Sequence, residues 1–260
     1  MEIVTWNVNS LNVRADFVAA FLDKEQPDVL GLQELKLETD KVPVKLFQDR
    51  GYHVAVHGQK QWNGVLLASK YPLEDVVKGL PDGDQGESRF IAATTNGVRV
   101  INVYVPQGQA ADSPKFDFKL GFLDALIVRL ESEKLQSAET VLIGDVNVAP
   151  EARDVFDVAA FEGVPTFHPL EHQRIARLTA AGFSDLCLPF LPAGTFSFWD
   201  YRGAAFRFNQ GMRIDHFYGT AALASRVASA RVYRDYRKKL GELAPSDHAP
   251  VAITLHPRVS

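Results

Sequence analysis

The stretch LIGDVNVAP, residues 142 to 150, passes from an apolar run into a polar end that sets Asp145 and Asn147 two positions apart. Asp and Asn bond readily to nearby backbone, so a strand-to-loop turn is the plain reading of this piece alone. The same change from apolar run to acid or amide recurs. One run ends at Asn7 and Asn9 and another at Glu34, Asp215 interrupts RIDHFY, and PSDHAP puts Asp247 and His248 before the last apolar run. Carboxylates are costly to bury unless paired or bound to metal. Brought together by sheet packing, Glu34, Asp145, Asp215 and Asp247 form an oxygen-rich pocket with one histidine. That donor set suits a hard divalent cation, Mg²⁺ or Mn²⁺. It suits zinc less, having a single histidine and no thiolate. Such a pocket fits hydrolysis of a phosphate ester: the metal neutralises phosphoryl and leaving-group charge while a carboxylate positions and deprotonates water. His248, among carboxylates, is expected to have a raised pKa, to stay cationic and to hold a non-bridging phosphate oxygen.

These positions need elements that carry them to one edge. Short apolar, β-branched runs recur: EIVTWNV (2 to 8), DVLGLQE (28 to 34), GVLLAS (64 to 69), RVINVYVP (99 to 106), TVLIGDVNV (140 to 148), GTFSFWDYR (194 to 202), RIDHFYG (213 to 219), RVASARVYRDY (226 to 236) and APVAITLH (249 to 256). Each reads as a strand. Between them lie helical stripes spaced by threes and fours. They are Val13, Phe17, Phe21 and Leu22; Phe116, Leu120, Leu123, Ile127 and Leu130; and, within His168 to Ala181, Leu170, Ile175 and Leu178. All three stripes are expected to face a core. Strands outnumber helices, and hairpins mix with longer crossovers. That favours an α/β (α+β) architecture of two packed mixed sheets with helices outside. No Gly/Ser-rich linker divides the chain, so one domain over 1–260 is expected, with GLPDGDQGE (79 to 87) as a surface loop. VTWNVNS and LIGDVNV also echo each other, each running from an apolar strand into an Asn-bearing end.

Composition narrows the class. With 46% hydrophobic and 23% charged residues, 260 residues can bury a substantial core. The net charge of -4 provides no global positive field, so any basic face for nucleic acid must be local. The single cysteine, Cys187, excludes an intramolecular disulfide and a thiolate cluster, reads as a small buried apolar residue, and fits a reducing compartment. The start MEIVTWNVNS has no charged-then-apolar leader, and no run reaches the roughly 20 apolar residues that cross a bilayer. A cytoplasmic protein is expected.

Seven motifs, in order and at suitable spacing, then carry a resemblance: TWNVNSL, PDVLGLQELK, YVPQG, LIGDVNVAP, FSFWDYR, GMRIDH and SDHAPV. The chain resembles the exonuclease III family of apurinic/apyrimidinic (AP) endonucleases, within the endonuclease/exonuclease/phosphatase superfamily, across essentially its whole length. The resemblance implies a DNase I-like, four-layered α/β sandwich with the active site at one edge of two sheets. It implies that Glu34 binds the metal with Asn9 and Asp247, and that Asn7 supports the metal and Asp145. Asp145 would orient or deprotonate the water, and Asn147 would hold water or phosphate. His248, oriented by Asp215, would contact the scissile phosphate, and Tyr104 would reach the phosphate or leaving group. The implied activity is a Mg²⁺-dependent DNA-repair nuclease that cuts 5′ to abasic sites and trims 3′ blocks or nucleotides.

DNA needs local cations. The candidates are Lys36, Lys60, Lys115, Lys119, Arg202, Arg207 and Arg213, and with so few, binding should weaken steeply with salt; RDYRKK (234 to 239) reads as a solvated face. By motif alignment Phe198 and Trp199 wall a pocket for an extruded sugar and Met212 sits on a wedging loop. Strand alternation turns one of the two aromatics toward the core. The segment 151 to 170 departs from the motifs, and a side chain such as its His168 could intrude on the pocket; otherwise His168, like His53, His57, His172, His216 and His256, reads as a surface or hydrogen-bonded histidine. Double-stranded DNA is the expected partner of a monomeric enzyme. Two rivals remain: a phosphatase or phosphodiesterase acting on phosphoinositides, phospholipids or other non-DNA esters, and a catalytically dead DNA-binding module.

Overall fold

Side chains alternate between the two faces of a strand, so runs covered on both faces read as near-continuous apolar stretches. In the computed structural model, which describes residues 1–258, these runs form β1 (Glu2–Asn7), β2 (Val29–Gln33), β4 (Val65–Ser69), β7 (Val98–Tyr104), β8 (Thr140–Asp145), β10 (Asp215–Thr220), β11 (Val227–Val232) and β12 (Val251–Leu255). Positions 259 and 260 of the expected domain lie outside the described residues. Four further strands complete the set: β3 (His53–His57), β5 (Glu74–Lys78), β6 (Phe90–Thr95) and β9 (Phe183–Asp185). The expected strand over 194 to 202 does not form. That segment is irregular, tied by single bridges from Phe198 to Met212 and to His248.

The strands build two six-stranded sheets, ordered β11-β12-β1-β2-β4-β3 and β5-β6-β7-β8-β10-β9. Taken from β9 backwards, the second sheet repeats the pairing sense of the first: antiparallel, antiparallel, parallel, antiparallel, antiparallel. The echo between VTWNVNS and LIGDVNV belongs to this pseudo-symmetry, because β1 and β8 hold equivalent places. The single parallel pair in each sheet, β1 with β2 and β7 with β8, is central. Both members of a parallel pair end at the same edge, and their antiparallel neighbours begin there. Asn7, Gln33, Tyr104, Asp145 and Asp215 therefore meet along one rim.

Period-two alternation decides what faces the space between the sheets. Ile3, Val29, Val65, Val100, Val141, Ile143, Phe217, Val251 and Ile253 form the inter-sheet core. Continuing the same faces toward the rim reaches Asn7 on β1, Asp145 on β8 and Asp215 on β10. The candidate site is thus the polar end of the inter-sheet core. Close approach of the sheets needs Gly31, where a Cβ would lie 2.6 Å from Ile143. Beside it Gln33 Nε2 donates to Asn102 Oδ1 at 2.6 Å and to Thr5 Oγ1 at 2.9 Å, while Asn102 Nδ2 donates to the carbonyls of Leu32 and Leu66 at 3.0 and 2.9 Å. Leaving such a buried group unpaired costs about 1–3 kcal/mol, so this bridge fixes the stagger of one sheet on the other.

Three long helices cover the outer faces: α1 (Leu11–Glu25), α2 (Pro114–Gln136) and α3 (Pro169–Ala180). Phe17, Phe21 and Leu22 of α1 pack on Val4, Trp6, Leu30 and Leu32 of the first sheet. Phe122, Leu123, Leu126, Ile127 and Leu130 of α2, with Ile175 and Leu178 of α3, pack on Ile101, Val103 and Leu142 of the second. The layers run helix, sheet, sheet, helix, the four-layered sandwich expected. Two stripe members miss the core, Val13 at 60% exposed and Leu170 at 39%, both in the first turns of their helices, where the surface falls away from the sheet. The loop expected at 79 to 87 lies between β5 and β6 and is pinned by Asp84, whose carboxylate accepts the Gly86 N–H at 3.0 Å. Cys187 is buried, as expected.

Candidate active site

The parallel pair β1–β2 continues as paired loops: the N–H groups of Val8, Ser10 and Leu11 donate to the carbonyls of Gln33, Glu34 and Leu35 at 3.1, 2.8 and 3.1 Å. This pairing holds Asn9 and Glu34 side by side. Both adopt left-handed backbone, Asn9 at φ 44° and Glu34 at φ 54°, as does Asn147 at φ 54°. Asn tolerates that region; Glu does so at a cost of about 1–3 kcal/mol, the kind of local strain that gathers at working sites. In β8, Gly144 sits at φ 138°, where any Cβ would run into the Val103 carbonyl oxygen. The GD step of GDVN therefore requires glycine, and it turns Asp145 into the rim.

Asn7 is the hinge of the cluster. Its Nδ2 donates to Glu34 Oε1 and to Asp145 Oδ2, each at 2.8 Å, joining the two sheets at their ends. On the side of the second sheet, Asp145 Oδ1 accepts the Asn147 N–H at 3.0 Å, and Asn147 Nδ2 donates to the Val105 carbonyl at 2.9 Å. His248 Nδ1 donates to Asp215 Oδ2 at 2.9 Å, and its Nε2 stands 3.7 Å from Asp145 Oδ2. Burial alone would lower the pKa of His248, but the charges of Asp215 and Asp145 outweigh it and raise it to about 10. Burial raises the Asp145 carboxyl, with Asp215 adding and His248 opposing. Burial and the charges of Glu34 and Asp145 push the Tyr104 hydroxyl well up, so it stays protonated and able to donate.

The oxygens on the side of the first sheet meet a cation differently. Lys36 Nζ donates to Asn9 Oδ1 at 2.6 Å and lies 3.0 Å from Glu34 Oε2, while Asn9 Nδ2 donates to Asp247 Oδ1 at 3.1 Å. Burial would raise Glu34, but the Asn7 hydrogen bond and the Lys36 charge hold it below the usual carboxylate range. Ionised, converging oxygens that already face one positive charge fit a hard divalent cation. Asp145, Asp215 and His248 also bring ligand-type atoms within 4.8 Å of one another. On the other side of Asn7, Glu34, Asn9 and Asp247 form a second group of oxygen donors, joined through Asn9 and Lys36.

A cavity of about 290 Å³ opens over this cluster, lined among others by Glu34, Tyr104, Asn147, Phe198, Met212 and His248. Phe198 is the aromatic that faces the site, its ring 5.0 Å from that of His248, whereas Trp199 is fully buried against Phe206 and Ala205. From the divergent segment it is Thr166, not His168, that lines the cavity; His168 caps α3 and meets the Phe116 ring edge-on, with ring centroids 4.8 Å apart.

Several expected DNA contacts are corrected. Lys119 is fully buried, paired with Glu171, and donates to the Asn147 carbonyl at 2.6 Å and the Gln107 carbonyl at 3.2 Å. Arg213 is buried between Asp154 and Asp185, at 2.7 and 2.6 Å. Neither can reach a phosphate. Lys36 points at the site's own oxygens. Lys60, Lys115, Arg202 and Arg207 remain exposed, with Arg202 engaged by Asp200 at 2.7 Å. Arg237 of RDYRKK is buried against the Trp199 carbonyl at 3.0 Å rather than solvated.

Other positioning groups sit inside the motifs but were given no role there. Ser197 Oγ accepts the N–H groups of Ile214 and Asp215 at 3.2 and 3.1 Å; Ser246 Oγ donates to the Asn7 carbonyl at 2.7 Å and accepts the His248 N–H at 3.2 Å. His216, among the histidines expected to be hydrogen-bonded, donates from Nε2 to the Val148 carbonyl at 2.8 Å, with Arg213 Nη1 at 3.2 Å from its Nδ1. Lys119 and His216 thus hold the turn after Asp145 from behind.

Residues 4–248 match the endonuclease/exonuclease/phosphatase family. The chain belongs to that family. It is 34% identical over 265 residues to exodeoxyribonuclease III of Haemophilus influenzae, covering 96% of this chain and 98% of that one. Its fold matches a Neisseria 3′ phosphatase solved with a product DNA hairpin, with a TM-score of 0.94, 41% identity and coverage of 98% and 99%. It also matches an AP endonuclease from Archaeoglobus fulgidus, with a TM-score of 0.91, 35% identity and the same coverage. The chain is a nuclease of the exodeoxyribonuclease III type, a phosphodiester hydrolase. Among the described residues no helix is long and apolar enough to cross a membrane.

Proposed function

We propose that this chain is a Mg²⁺-dependent (or Mn²⁺-dependent) DNA-repair nuclease that cuts 5′ to abasic sites in duplex DNA and removes 3′ blocks or nucleotides. The observation that carries this is the junction at Asn7, whose two hydrogen bonds set an ionised Glu34 beside a buried Asp145 at the mouth of a cavity walled by Phe198 and Met212. The metal, held by Glu34 with Asn9 and Asp247, would neutralise charge on the scissile phosphate and its leaving oxygen. Asp145, its carboxyl raised by burial, accepts a proton from the attacking water, and Asn147 steadies water or phosphate. Cationic His248, held by Asp215, binds a non-bridging oxygen, and the Tyr104 hydroxyl donates to the phosphate or leaving group. Phe198 and Met212 offer an apolar wall to a sugar turned out of the duplex. The relatives' exonuclease, phosphatase and AP endonuclease activities support the same chemistry on different 3′ substituents.

The enzyme acts as a monomer with one domain, a reading supported by both sheets of one chain completing the cluster. A cytoplasmic setting is supported by the lone buried Cys187. Incubating the protein with a duplex carrying one abasic-site analogue, beside an intact duplex with a recessed 3′ end, in Mg²⁺ and in EDTA, tests the proposal. Mg²⁺-dependent incision at the lesion is expected. Degradation from 3′ ends alone would restrict the enzyme to exonucleolytic work, and no cleavage of either would shift the reading to a non-DNA phosphate ester.

A further inference from the structure

On the far side of Tyr104 lies a second cavity, of about 390 Å³, whose walls include Trp62, Arg89, Tyr104, Gln107, Lys115 and Phe118. That volume is within the range of small-ligand pockets. Tyr104 and Gln107 line this cavity and the catalytic one alike, so the two are neighbouring chambers with a common wall. A phosphodiester has a nucleoside on each side of the phosphorus. If the sugar 3′ of the cut lies against Phe198 and Met212, the strand on the other side passes Tyr104 and reaches this chamber.

The chamber's chemistry indicates what it takes. Trp62 is 66% exposed, on a turn whose flanking residues Gln61 and Asn63 both hold left-handed backbone, at φ 68° and 59°. The turn presents the indole instead of packing it. Arg89 lies over the Tyr104 ring at 4.8 Å and near the Phe118 ring at 6.0 Å; its charge is engaged by Glu87, and its Nη1 donates to the Tyr104 carbonyl at 3.1 Å. The inner cation is therefore already compensated, which disfavours a phosphate as occupant. What remains is an aromatic surface edged by neutral amides, among them Gln59 and Gln109, with the exposed Lys115 at the rim, where it can meet the backbone phosphate outside the chamber. Such a surface suits a flat, uncharged heterocycle with hydrogen-bonding edges. A paired base would have to leave its stack to enter, so an unpaired one enters most readily.

We propose that this chamber binds the unpaired nucleobase of the nucleotide immediately 5′ of the cut, stacked on Trp62. The inference rests on the function proposed above and extends it from the scissile bond to the flanking base. It makes the enzyme favour frayed or mismatched positions, and stacking makes the preference tolerant of base identity.

The test uses the full chain and three duplexes, each with one abasic-site analogue. The nucleotide 5′ of the analogue is paired in one, mismatched in the second and itself baseless in the third. In Mg²⁺, KM for the mismatched duplex should be about 5- to 160-fold below that for the baseless one, the span that one base–aromatic stack represents. Trp62→Ala should remove that difference. In EDTA the mismatched duplex should quench tryptophan emission and the baseless one should not, because Trp62 is exposed while Trp6 and Trp199 are fully buried. Equal KM values for the mismatched and baseless duplexes, or a difference that survives Trp62→Ala, overturn the chamber's role while leaving the nuclease intact. Absence of cleavage in all three overturns the abasic-site part of the proposed function and this inference with it.

Discussion

At the shared rim the group around Glu34 stays partly open, whereas the group around Asp145, which includes His248 from the loop before β12 of the first sheet, is sealed from behind. Glu34 and Asn9 turn their oxygens toward Lys36, Asp247 is tied to Asn9, and all three keep some exposure. Asp145, Asp215 and His248 are buried, and the turn that follows Asp145 is braced by Lys119 through Asn147 and by His216 through Val148. The strand order and pairing sense are the same, so topology alone does not assign these roles. Backing does. A site that must exchange a metal needs access, whereas one that handles a proton and a phosphate oxygen gains from low dielectric and fixed partners.

The sharpest break in this contrast is Lys119→Met. It leaves Glu171 charged and unpaired in the interior, and unfolding in urea should show a loss of about 3–5 kcal/mol. Adding Glu171→Gln removes the orphan charge and keeps an acceptor for the Thr166 and His168 N–H groups, so stability should largely return. The Asn147 carbonyl still lacks its donor in the double variant, so kcat should stay depressed. Full recovery of kcat would reduce the pair to a structural element. His248→Ala comes next. Turnover should fall by about 10² or more, close to 3 kcal/mol, as when a fixed donor to developing charge is removed. Unchanged turnover in single-turnover kinetics would take His248 out of the reaction.

The same contrast explains what could be read from sequence. Asn7, Glu34, Asp145, Asp215 and His248 were legible because each closes or opens an apolar period-two run, and the parallel pairs bring such ends together. Lys119 and Arg213 look like surface cations in the sequence because their partners, Glu171, Asp154 and Asp185, lie far off in the chain. A signal for Lys119 was present: it lies three residues after Phe116 and four before Leu123, on the apolar stripe of α2. Strand β5 was missed because its EDVVK is mostly exposed and polar, and the segment 194 to 202 looked like a strand because aromatics favour strands. Alternation showed that one of Phe198 and Trp199 faces inward. Only the bridges from Phe198 to Met212 and His248 decide which one.

On the open side the effects should be smaller and should appear as changed requirements, not lost chemistry. Glu34→Gln keeps an acceptor for Asn7 but removes the charge, so the Mg²⁺ concentration for half-maximal activity should rise about tenfold or more, with kcat at saturating metal falling less. An unaltered metal titration would strike Glu34 from the ligand set.

The smallest effect separates exposed cations from one another. Lys115 is exposed at the edge of the second chamber, while Arg202 is exposed but engaged by Asp200. A cation that neutralises a phosphate releases a counterion, so Lys115→Ala should reduce the slope of log Kd against log salt by about 1 and weaken binding evenly across sequences. Arg202→Ala should leave the slope unchanged, because the Arg202 guanidinium is spent on Asp200 and neutralises no phosphate. The reverse pattern would place the DNA path over the 200–212 loop and away from the chamber beside Tyr104. Measuring both slopes therefore fixes on which side of the catalytic cavity the duplex lies, independently of any effect on turnover.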